Sequence, residues 1–435
     1  MTIPTYLLIP QVGHGAILVD DHGSLPLLDL DLKEEDTVVV GVRRALRSAW
    51  NLDAVVLETH LPPAPDGSSD DHVALAVIDE ADPTWPTPAK TRWDHPTGEL
   101  PERVGPRAAT WIGEWGTGAE PPALRPRWAR PGWHARATAW IRASLEQAGR
   151  QPAGEIEMRR LWGISAVARI HTADGGTAWF KAVFPLFETE VATTRLLDTA
   201  FPGAVPHVIA ADEDAGWLLL DDAGAQPVGT AATDEQVAAS IRRLVQIQAG
   251  MAGRKDDLRA AGVVDRPLRR LAEDLSRAMV NPAEIEGPEV APERLARVVE
   301  WVRRQSNWLD AAGLPETLVH GDFHAFNVME RDGESVIIDW SDSSISHPLL
   351  DIGPWFGHPQ SPGDPGSGWA AWLNALSSIG PVDALREERE RIFGLASAFQ
   401  LVSYAGIVRG LEPANRYQLS DGVRDFWELL DARVP

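Results

Sequence analysis

Two short apolar stretches, each followed at once by polar residues, constrain this 435-residue chain more than any other feature of its sequence. The first reads LVHGDFHAFNVM over residues 318–329, and the second reads SVIIDWSD over residues 335–342. The apolar part of each stretch has the composition of a buried strand. Asp322, Asn327 and Asp339, in the polar parts, offer the hard oxygen atoms that Mg²⁺ prefers. The sequence therefore predicts a polar site at the ends of two buried strands.

The order and spacing of these three residues are typical of a kinase catalytic loop. In such a loop an Asp accepts the proton of the substrate hydroxyl, and an Asn five positions later binds Mg²⁺. An Asp after the next strand then holds Mg²⁺ against the nucleotide phosphates, whose negative charge the metal neutralises. The spacing predicts Asp322 as the catalytic base, and Asn327 and Asp339 as the metal ligands.

Two other interpretations of the same stretch remain open on the sequence alone. The polar residues could simply cap turns of a loop. Alternatively, His320 and His324 could form a two-histidine metal site, which requires a helix at this place. Gly321, directly after the apolar stretch, argues against that helix.

The two motifs together, His-Gly-Asp-x-x-x-x-Asn and Ile-Asp-Trp, resemble the aminoglycoside phosphotransferase and choline kinase-like superfamily. The resemblance covers about residues 155–411. It implies an α+β fold of the bilobal protein-kinase type, with an antiparallel five-stranded N-lobe and a helical C-lobe. It also implies ATP and Mg²⁺ as cofactors.

The sequence upstream of the motifs agrees with such an N-lobe. Three strands are predicted in residues 155–184, then a helix at 187–200 and two further strands up to residue 222. The lobe requires a phosphate-covering turn, a Lys on the third strand, a Glu on the following helix and a hinge edge that meets adenine. The residues that match these requirements are Ser165 in the turn, Lys181, Glu190 with Glu188 as the other choice, and Asp222 at the hinge edge.

The residues before the N-lobe form two further segments. Residues 1–82 alternate short strands with one helix at 38–51, which predicts a small α+β cap; this order is similar to a Nudix unit, but the acidic helix of that family is missing. Residues 83–133 hold 10 of the 34 prolines and 6 of the 18 tryptophans, which disfavours long helices and favours an extended, Trp-anchored segment before a helix at 134–149. The predicted domains are the cap at 1–82, the intermediate segment at 83–150, the N-lobe at 151–225 and the C-lobe at 226–435.

A cap before the two lobes is similar to the arrangement in actinobacterial maltokinases and the related glucosamine kinases. Phe323 and Asn327 stand where maltokinases typically carry Leu and Gln, which favours the glucosamine kinases. This resemblance implies a kinase that acts on an amino sugar, with D-glucosamine as the preferred acceptor. An aminoglycoside phosphotransferase, a maltokinase and a nucleotide-binding regulatory pseudokinase are the alternatives.

Residues downstream of the second motif are candidates for acceptor binding. Asp342 belongs to the same loop as Asp339 and is predicted to face the sugar. Asp351 resembles the family's Asp that braces the catalytic loop through backbone amides. Since family members close their acceptor pocket with late helices, three late residues are further candidates: Asn415, Arg416 and Trp427.

Charge and composition exclude several classes of partner. With 63 acidic and 40 basic residues, the net charge is −23, which disfavours nucleic acid and anionic membranes. The absence of cysteine excludes disulfides and thiolate chemistry. The sequence shows neither a long apolar run nor a basic leader at its start. We therefore expect a cytoplasmic protein. The resemblance implies that it binds a small sugar, and we expect it to be a monomer.

Overall fold

The computed structural model describes residues 1–11, 15–33, 36–63, 72–79, 84–224, 226–229, 231–357 and 365–435. These residues form two compact units. The first unit comprises Met1–Phe184 and Leu411–Gln418, and the second comprises Pro185–Gly410 and Leu419–Pro435. Both units contain helices and strands, which confirms the predicted mixed α and β class. The predicted division into four domains stays a prediction.

The elements of the first unit are β1 (Thr2–Leu8), β2 (Ile17–Asp20), β3 (Leu27–Asp31), α1 (Val38–Trp50), β4 (Val56–His60), β5 (Ala74–Ile78), β6 (Thr91–Asp94), α2 (Gly105–Thr117), α3 (Trp133–Gln147), β7 (Pro152–Leu161), β8 (Ser165–Thr172) and β9 (Thr177–Val183). Four strands form a sheet in the order β3-β1-β5-β4, in which β1 runs antiparallel to β3 and parallel to β5. All five residues of β5 are buried, as its apolar sequence ALAVI requires of an internal strand. The strands and the helix predicted within residues 1–82 are confirmed.

The Pro- and Trp-rich segment contains a helix that the proline density led us not to expect. The 13-residue helix α2 begins at Gly105, and Pro106 lies in its first turn, where a backbone N–H has no partner within the helix. The rest of α2 contains no proline, so nothing interrupts it. The expected anchoring by indole rings is confirmed, because the side chains of Trp111, Trp128 and Trp133 are buried.

Strands β7, β8 and β9 form an antiparallel meander, as predicted from the sequence. The first hairpin of this meander turns at Trp162–Ser165, and the third strand carries Lys181 opposite Val167. The meander therefore presents both the turn and the lysine that the nucleotide-binding hypothesis requires.

The elements of the second unit are α4 (Thr189–Ala200), β10 (Val208–Asp212), β11 (Trp217–Asp221), β12 (Gln226–Pro227), α5 (Asp234–Met251), α6 (Lys255–Ala260), β13 (Val264–Asp265), α7 (Leu268–Ala278), α8 (Pro292–Asp310), β14 (Thr317–Val319), β15 (Val328–Arg331), β16 (Glu334–Ile337), β17 (Ser344–Ser346), α9 (Ile352–Gly357), α10 (Pro365–Leu376), α11 (Arg389–Gly410) and α12 (Ser420–Asp431). Strands β10 and β11 pair antiparallel, as predicted. Their union with β7, β8 and β9 into one five-stranded N-lobe sheet stays a prediction.

Short strands and long helices support the motif region of the second unit. Strand β14 pairs with β17, and β15 and β16 form a hairpin. Around them the helices pack into one large apolar core, which includes the rings of Phe323, Trp340, Trp355, Trp372 and Phe399. Both motifs thus lie at the ends of strands buried in this core.

Helix α11 is the one described helix that is long and apolar enough to cross a membrane by length and composition. Of its most apolar window, 78% is buried inside the protein. Burial of this extent is what a core helix shows.

Candidate active site

The first motif leaves β14 through a turn that only glycine fits. Gly321 has a φ of +86°, and a Cβ atom built on it would lie 2.2 Å from the backbone carbonyl oxygen of Asp342. Any side chain here would therefore meet both backbone strain and a clash with the loop that carries the second motif. The glycine brings the two motif loops into direct contact.

Asp351 holds the start of the first motif loop through hydrogen bonds to its carboxylate. Its Oδ1 accepts a hydrogen bond from the Gly321 N–H at 2.8 Å, and its Oδ2 accepts from the His320 N–H at 3.0 Å and from Gln248 Nε2 at 2.9 Å. Burial raises the pKa of Asp351 to about 7, against the three hydrogen bonds, which lower it. The predicted bracing of the loop through backbone amides is confirmed.

His320 is part of the scaffold, which excludes it as a metal ligand. Its Nε2 lies 2.9 Å from the carbonyl oxygen of Ile338, and its Nδ1 accepts from the Asp322 N–H at 3.2 Å. Burial lowers the pKa of the ring, so it is neutral with its proton on Nε2. Since both ring nitrogens are engaged, the two-histidine metal site does not form.

Asp322 carries the most exposed functional group of the first loop, and two neighbours hold it. Asn327 Nδ2 donates to the Asp322 carbonyl oxygen at 2.9 Å and to its Oδ2 at 3.2 Å. His324 Nε2 lies 3.4 Å from the same Oδ2, while Nδ1 accepts from the Phe326 N–H. Burial lowers the pKa of His324, but the Asp322 carboxylate outweighs it and the net shift is upward. The carboxylate of Asp322 is thus oriented through one oxygen.

The second motif places Asp339 beside the first loop. The Ile338 N–H donates to the Asn327 carbonyl oxygen at 2.9 Å, which joins the residue before Asp339 to the predicted metal ligand. Asp339 itself has a φ of +64°, and its Oδ1 accepts from the Ser341 hydroxyl at 2.7 Å. A positive φ in a residue with a Cβ persists only where the surroundings enforce it. The residues on both sides of Asp339 are held: the Ile338 N–H is bonded to Asn327, and Trp340 is fully buried and donates to the Ile337 carbonyl oxygen at 3.2 Å.

The donor set of Asn327 and Asp339 fits a magnesium ion. Because the Asn327 amide nitrogen points to Asp322, its amide oxygen points elsewhere and is left for a cation. Within the described ranges no group of three or more His, Asp and Glu side chains is placed to hold a metal. Mg²⁺ is commonly bound by only one or two protein oxygens together with phosphates and water, so two ligands suffice.

Asp342 lies near a buried cation, Arg266. The Arg266 guanidinium stacks 3.7 Å from the centre of the Phe399 ring and donates to the Ser403 hydroxyl and the Phe399 carbonyl. Burial lowers the pKa of Arg266 to about 10, while Asp342 and Asp274 raise it. Arg266 therefore stays charged at neutral pH and offsets part of the charge of Asp342.

The predicted nucleotide-binding residues fall in both units. In the first unit Lys181 lies on β9, and Ser165, at the start of β8, accepts from the Trp162 indole at 2.6 Å. In the second unit Glu190 is buried in the first turn of α4, and the Asp222 carbonyl accepts from Arg331 at 3.0 Å. Glu188 precedes α4 as its N-cap residue. The pairing of Lys181 with Glu190 stays a prediction.

The three late acceptor candidates fall in both units. Asn415 and Arg416 belong to the first unit, where Asn415 is buried and lines a small cavity with Trp128, Gly163 and Gln418. Trp427 belongs to the second unit and is buried in its core. Their contacts with a sugar stay predictions.

Two supporting glutamines were not found by sequence reasoning. Gln248 holds Asp351, and Gln400 Nε2 donates to the Gly321 carbonyl oxygen at 2.6 Å. Both side chains are buried, on α5 and α11 respectively. The available signal was a glutamine on the apolar face of a helix, a position where a polar group needs a specific partner.

Comparison with known proteins adds the family. The family model described as "Phosphotransferase enzyme family" (APH) matches residues 162–381. No match was found among the curated proteins. A macrolide 2'-phosphotransferase from Brachybacterium faecium is 18% identical, with 66% of this chain and 98% of that chain covered and a TM-score of 0.48. A choline/ethanolamine kinase family protein from Mesorhizobium loti is 17% identical, with 69% and 92% covered and a TM-score of 0.46. An ethanolamine kinase from Plasmodium vivax is 10% identical, with 64% and 81% covered and a TM-score of 0.47.

Proposed function

Since the chain belongs to the APH family of phosphotransferase enzymes, we propose that it transfers the γ-phosphoryl group of ATP, with Mg²⁺, to a hydroxyl of an amino sugar, D-glucosamine. One observation carries the proposal. Asn327 turns its amide nitrogen to the carboxylate of Asp322, and through Ile338 its backbone is bonded to the segment that presents Asp339. This connects the proposed base with the two proposed oxygen ligands, which supports phosphoryl transfer.

The protein residues act mainly by position. Asp322 accepts the proton of the acceptor hydroxyl through the carboxylate oxygen that Asn327 and His324 leave open. Asp351 and Gln400 keep the loop that carries Asp322 in place. Asn327 and Asp339 would hold Mg²⁺, which would supply positive charge against that of the phosphates.

Asp342 supports an amino sugar as acceptor. Its carboxylate belongs to the loop that touches Gly321, next to the proposed base, and a carboxylate there favours an ammonium group. The resemblance to glucosamine kinases that was inferred from Phe323 gives weaker support for this acceptor than Asp342 does. Phe323 is fully buried and stacks on Trp355 with ring centres 4.7 Å apart, so it acts on the core and not on the acceptor.

The substitution Asp322→Asn tests the proposed chemistry. The amide keeps the size of the carboxylate but cannot accept the hydroxyl proton, so turnover should fall by about 10²- to 10⁴-fold. Nucleotide binding, measured by titration calorimetry, should change little. Asp332→Asn is the matched control, because Asp332 is exposed in the turn between β15 and β16 with a φ of +56°, which Asn also adopts. Undiminished phosphorylation by Asp322→Asn would contradict the proposal.

An acceptor screen tests the substrate. ADP release is measured with glucosamine, N-acetylglucosamine, glucose, maltose and an aminoglycoside, and the phosphorylated product is identified by mass spectrometry. We expect the highest kcat/KM for glucosamine. If the kcat/KM for glucose or maltose equals that for glucosamine, the amino-sugar assignment fails while the assignment as a phosphotransferase stands. If ATP binds but no acceptor is phosphorylated, the protein is a nucleotide-binding regulator and the enzyme proposal fails.

A further inference from the structure

The turn between β7 and β8, Trp162–Ser165, is held by side chains that come from far away in the sequence. The Trp128 indole Nε1 donates to the Trp162 carbonyl oxygen at 2.9 Å. The Gln418 Oε1 accepts from the Gly163 N–H at 2.8 Å. This carbonyl and this N–H are the two ends of one peptide plane. The plane therefore cannot rotate without breaking a hydrogen bond to a side chain outside the hairpin.

Hydrogen bonds also hold the next two residues of the turn, Ile164 and Ser165. The Trp162 indole donates to the Ser165 hydroxyl at 2.6 Å, and the Phe184 N–H donates to the Ile164 carbonyl oxygen at 3.1 Å. A hydroxyl that accepts a bond still carries one proton to donate. The Trp162 indole thus fixes the position of the Ser165 oxygen within the turn.

The segment that carries Gln418 is itself firmly anchored within the first unit. Glu412 accepts from Arg107 at 2.7 Å and from Arg125 at 2.9 Å, and all three side chains are buried. The Tyr417 hydroxyl accepts from the Leu61 N–H at 3.0 Å. Gln418 is therefore a fixed point from which the turn can be positioned.

Gly163 shows how closely this segment approaches the turn. A Cβ atom at Gly163 would lie 2.7 Å from Leu411 Cδ2 and 3.0 Å from Gln418 Oε1. Any larger residue would displace the ends of these two side chains, including the oxygen that accepts from the Gly163 N–H. The single glycine of the turn thus serves contact with residues 411–418.

We propose that Trp128 and Gln418 are positioning residues that hold the Trp162–Ser165 turn in the shape that receives the nucleotide phosphates. The inference rests on the proposed function. A turn that is ordered before the nucleotide arrives loses less conformational entropy on binding, which strengthens binding without any contact to the ligand. The two side chains therefore act on the affinity for ATP and not on the acceptor or the proton transfer.

The test removes each hydrogen bond while keeping the bulk of the side chain. Trp128→Phe removes the indole donor, and Gln418→Met removes the acceptor oxygen. Each change should raise the KM for ATP by about 2- to 12-fold, the equivalent of one neutral hydrogen bond, with kcat and the KM for the acceptor within about twofold. Trp369→Phe is the matched control: it removes an indole bond of the same kind, from Trp369 to the Arg386 carbonyl oxygen at 2.9 Å in the second unit, and should leave the KM for ATP unchanged.

A charge variant separates positioning from general support of the fold. Gln418→Glu keeps an oxygen that accepts from Gly163 but places a negative charge beside the turn. It should raise the KM for ATP more than Gln418→Met does, and the excess should shrink at high salt because salt screens the repulsion. A contact that only supported the fold would not give this salt dependence.

The outcomes distinguish this inference from the proposed function. If Trp128→Phe and Gln418→Met leave the KM for ATP unchanged while Asp322→Asn abolishes turnover, the inference is wrong and the function stands. Equal effects of Trp369→Phe and Trp128→Phe on the KM for ATP would also overturn it. If the wild-type protein neither binds nor consumes ATP, both fail together.

Discussion

Replacing Asp351 by Asn tests whether the scaffold beneath the catalytic loop controls the chemistry. Asp351 is fully buried and its two oxygens accept three hydrogen bonds, from the backbone of Gly321 and His320 and from Gln248. Asn has the same shape but offers one oxygen and one NH₂ group. Whichever way the amide turns, at least one of the three donors faces another donor.

The less costly orientation of the Asn amide determines how much stability Asp351→Asn should lose. If the NH₂ group takes the place of Oδ1, only the Gly321 N–H at 2.8 Å loses its acceptor. A buried donor without a partner costs about 1–3 kcal/mol, so the free energy of unfolding should fall by about that amount. Because Asp322 follows Gly321 directly, its carboxylate should lose its alignment, and kcat should fall by about 10- to 100-fold.

Both quantities are measurable at pH 8, where Asp351, with a pKa of about 7, is ionised in the wild-type protein. Urea unfolding followed by tryptophan fluorescence gives the free energy, and ADP release with saturating substrates gives kcat. Asp332→Asn, an exposed change of the same kind, should alter neither quantity. A loss below about 0.5 kcal/mol with an unchanged kcat would show that the hydrogen bonds to Asp351 do not position the loop.

Three further predictions concern other parts of the molecule. Burial raises the pKa of Glu412, but hydrogen bonds from two arginines outweigh burial, so the pKa is lowered from 4.5. The stabilisation that Glu412 contributes is therefore complete above pH 4.5 and is lost as the pH falls through the lowered pKa. Glu412→Gln should therefore flatten acid unfolding monitored by fluorescence. Lys181→Ala should raise the KM for ATP at least about ten-fold by removing a charge-assisted bond, and a silent Glu190→Ala beside a damaging Glu188→Ala would show that we chose the wrong partner. Asp342→Ala should reduce the preference for glucosamine over glucose in kcat/KM by about ten-fold, and an unchanged ratio would exclude Asp342 as the ammonium site.

Local patterns were sufficient to predict the elements that carry the site. The alternation of the β7–β9 strands and the polar residues after β14 and β16 are short-range signals, and the structure forms these elements where the sequence indicates them. Gly321 was itself informative, because a glycine directly after a strand predicts a turn and not a helix. The bracing role of Asp351 followed from the family resemblance and is confirmed by its hydrogen bonds.

Long-range contacts were beyond the reach of these patterns. Arg107 and Glu412 are 305 positions apart and form a buried ion pair, for which neither residue gives a local signal. Residues 411–418 lie between α11 and α12 in the chain yet pack in the first unit. Helix α2 was missed for another reason: proline density was averaged over a segment, whereas the effect of a proline depends on its position in the helix.

Charge balance in the second unit decides how selective the proposed acceptor site can be. Three aspartates lie on the two motif loops, and each has a different counter-charge. Asp339 is the proposed partner of the metal, Asp322 lies beside His324, and Asp342 lies near the buried guanidinium of Arg266. The Asp342 carboxylate, which would face the ammonium group, is thus already partly neutralised. This reduces the binding free energy gained by pairing with a cation. It also reduces the free-energy cost of binding a neutral sugar beside the carboxylate. Selectivity for an amino sugar at this site is therefore a difference between two modest terms, and we expect it nearer to about ten-fold than to a hundred-fold.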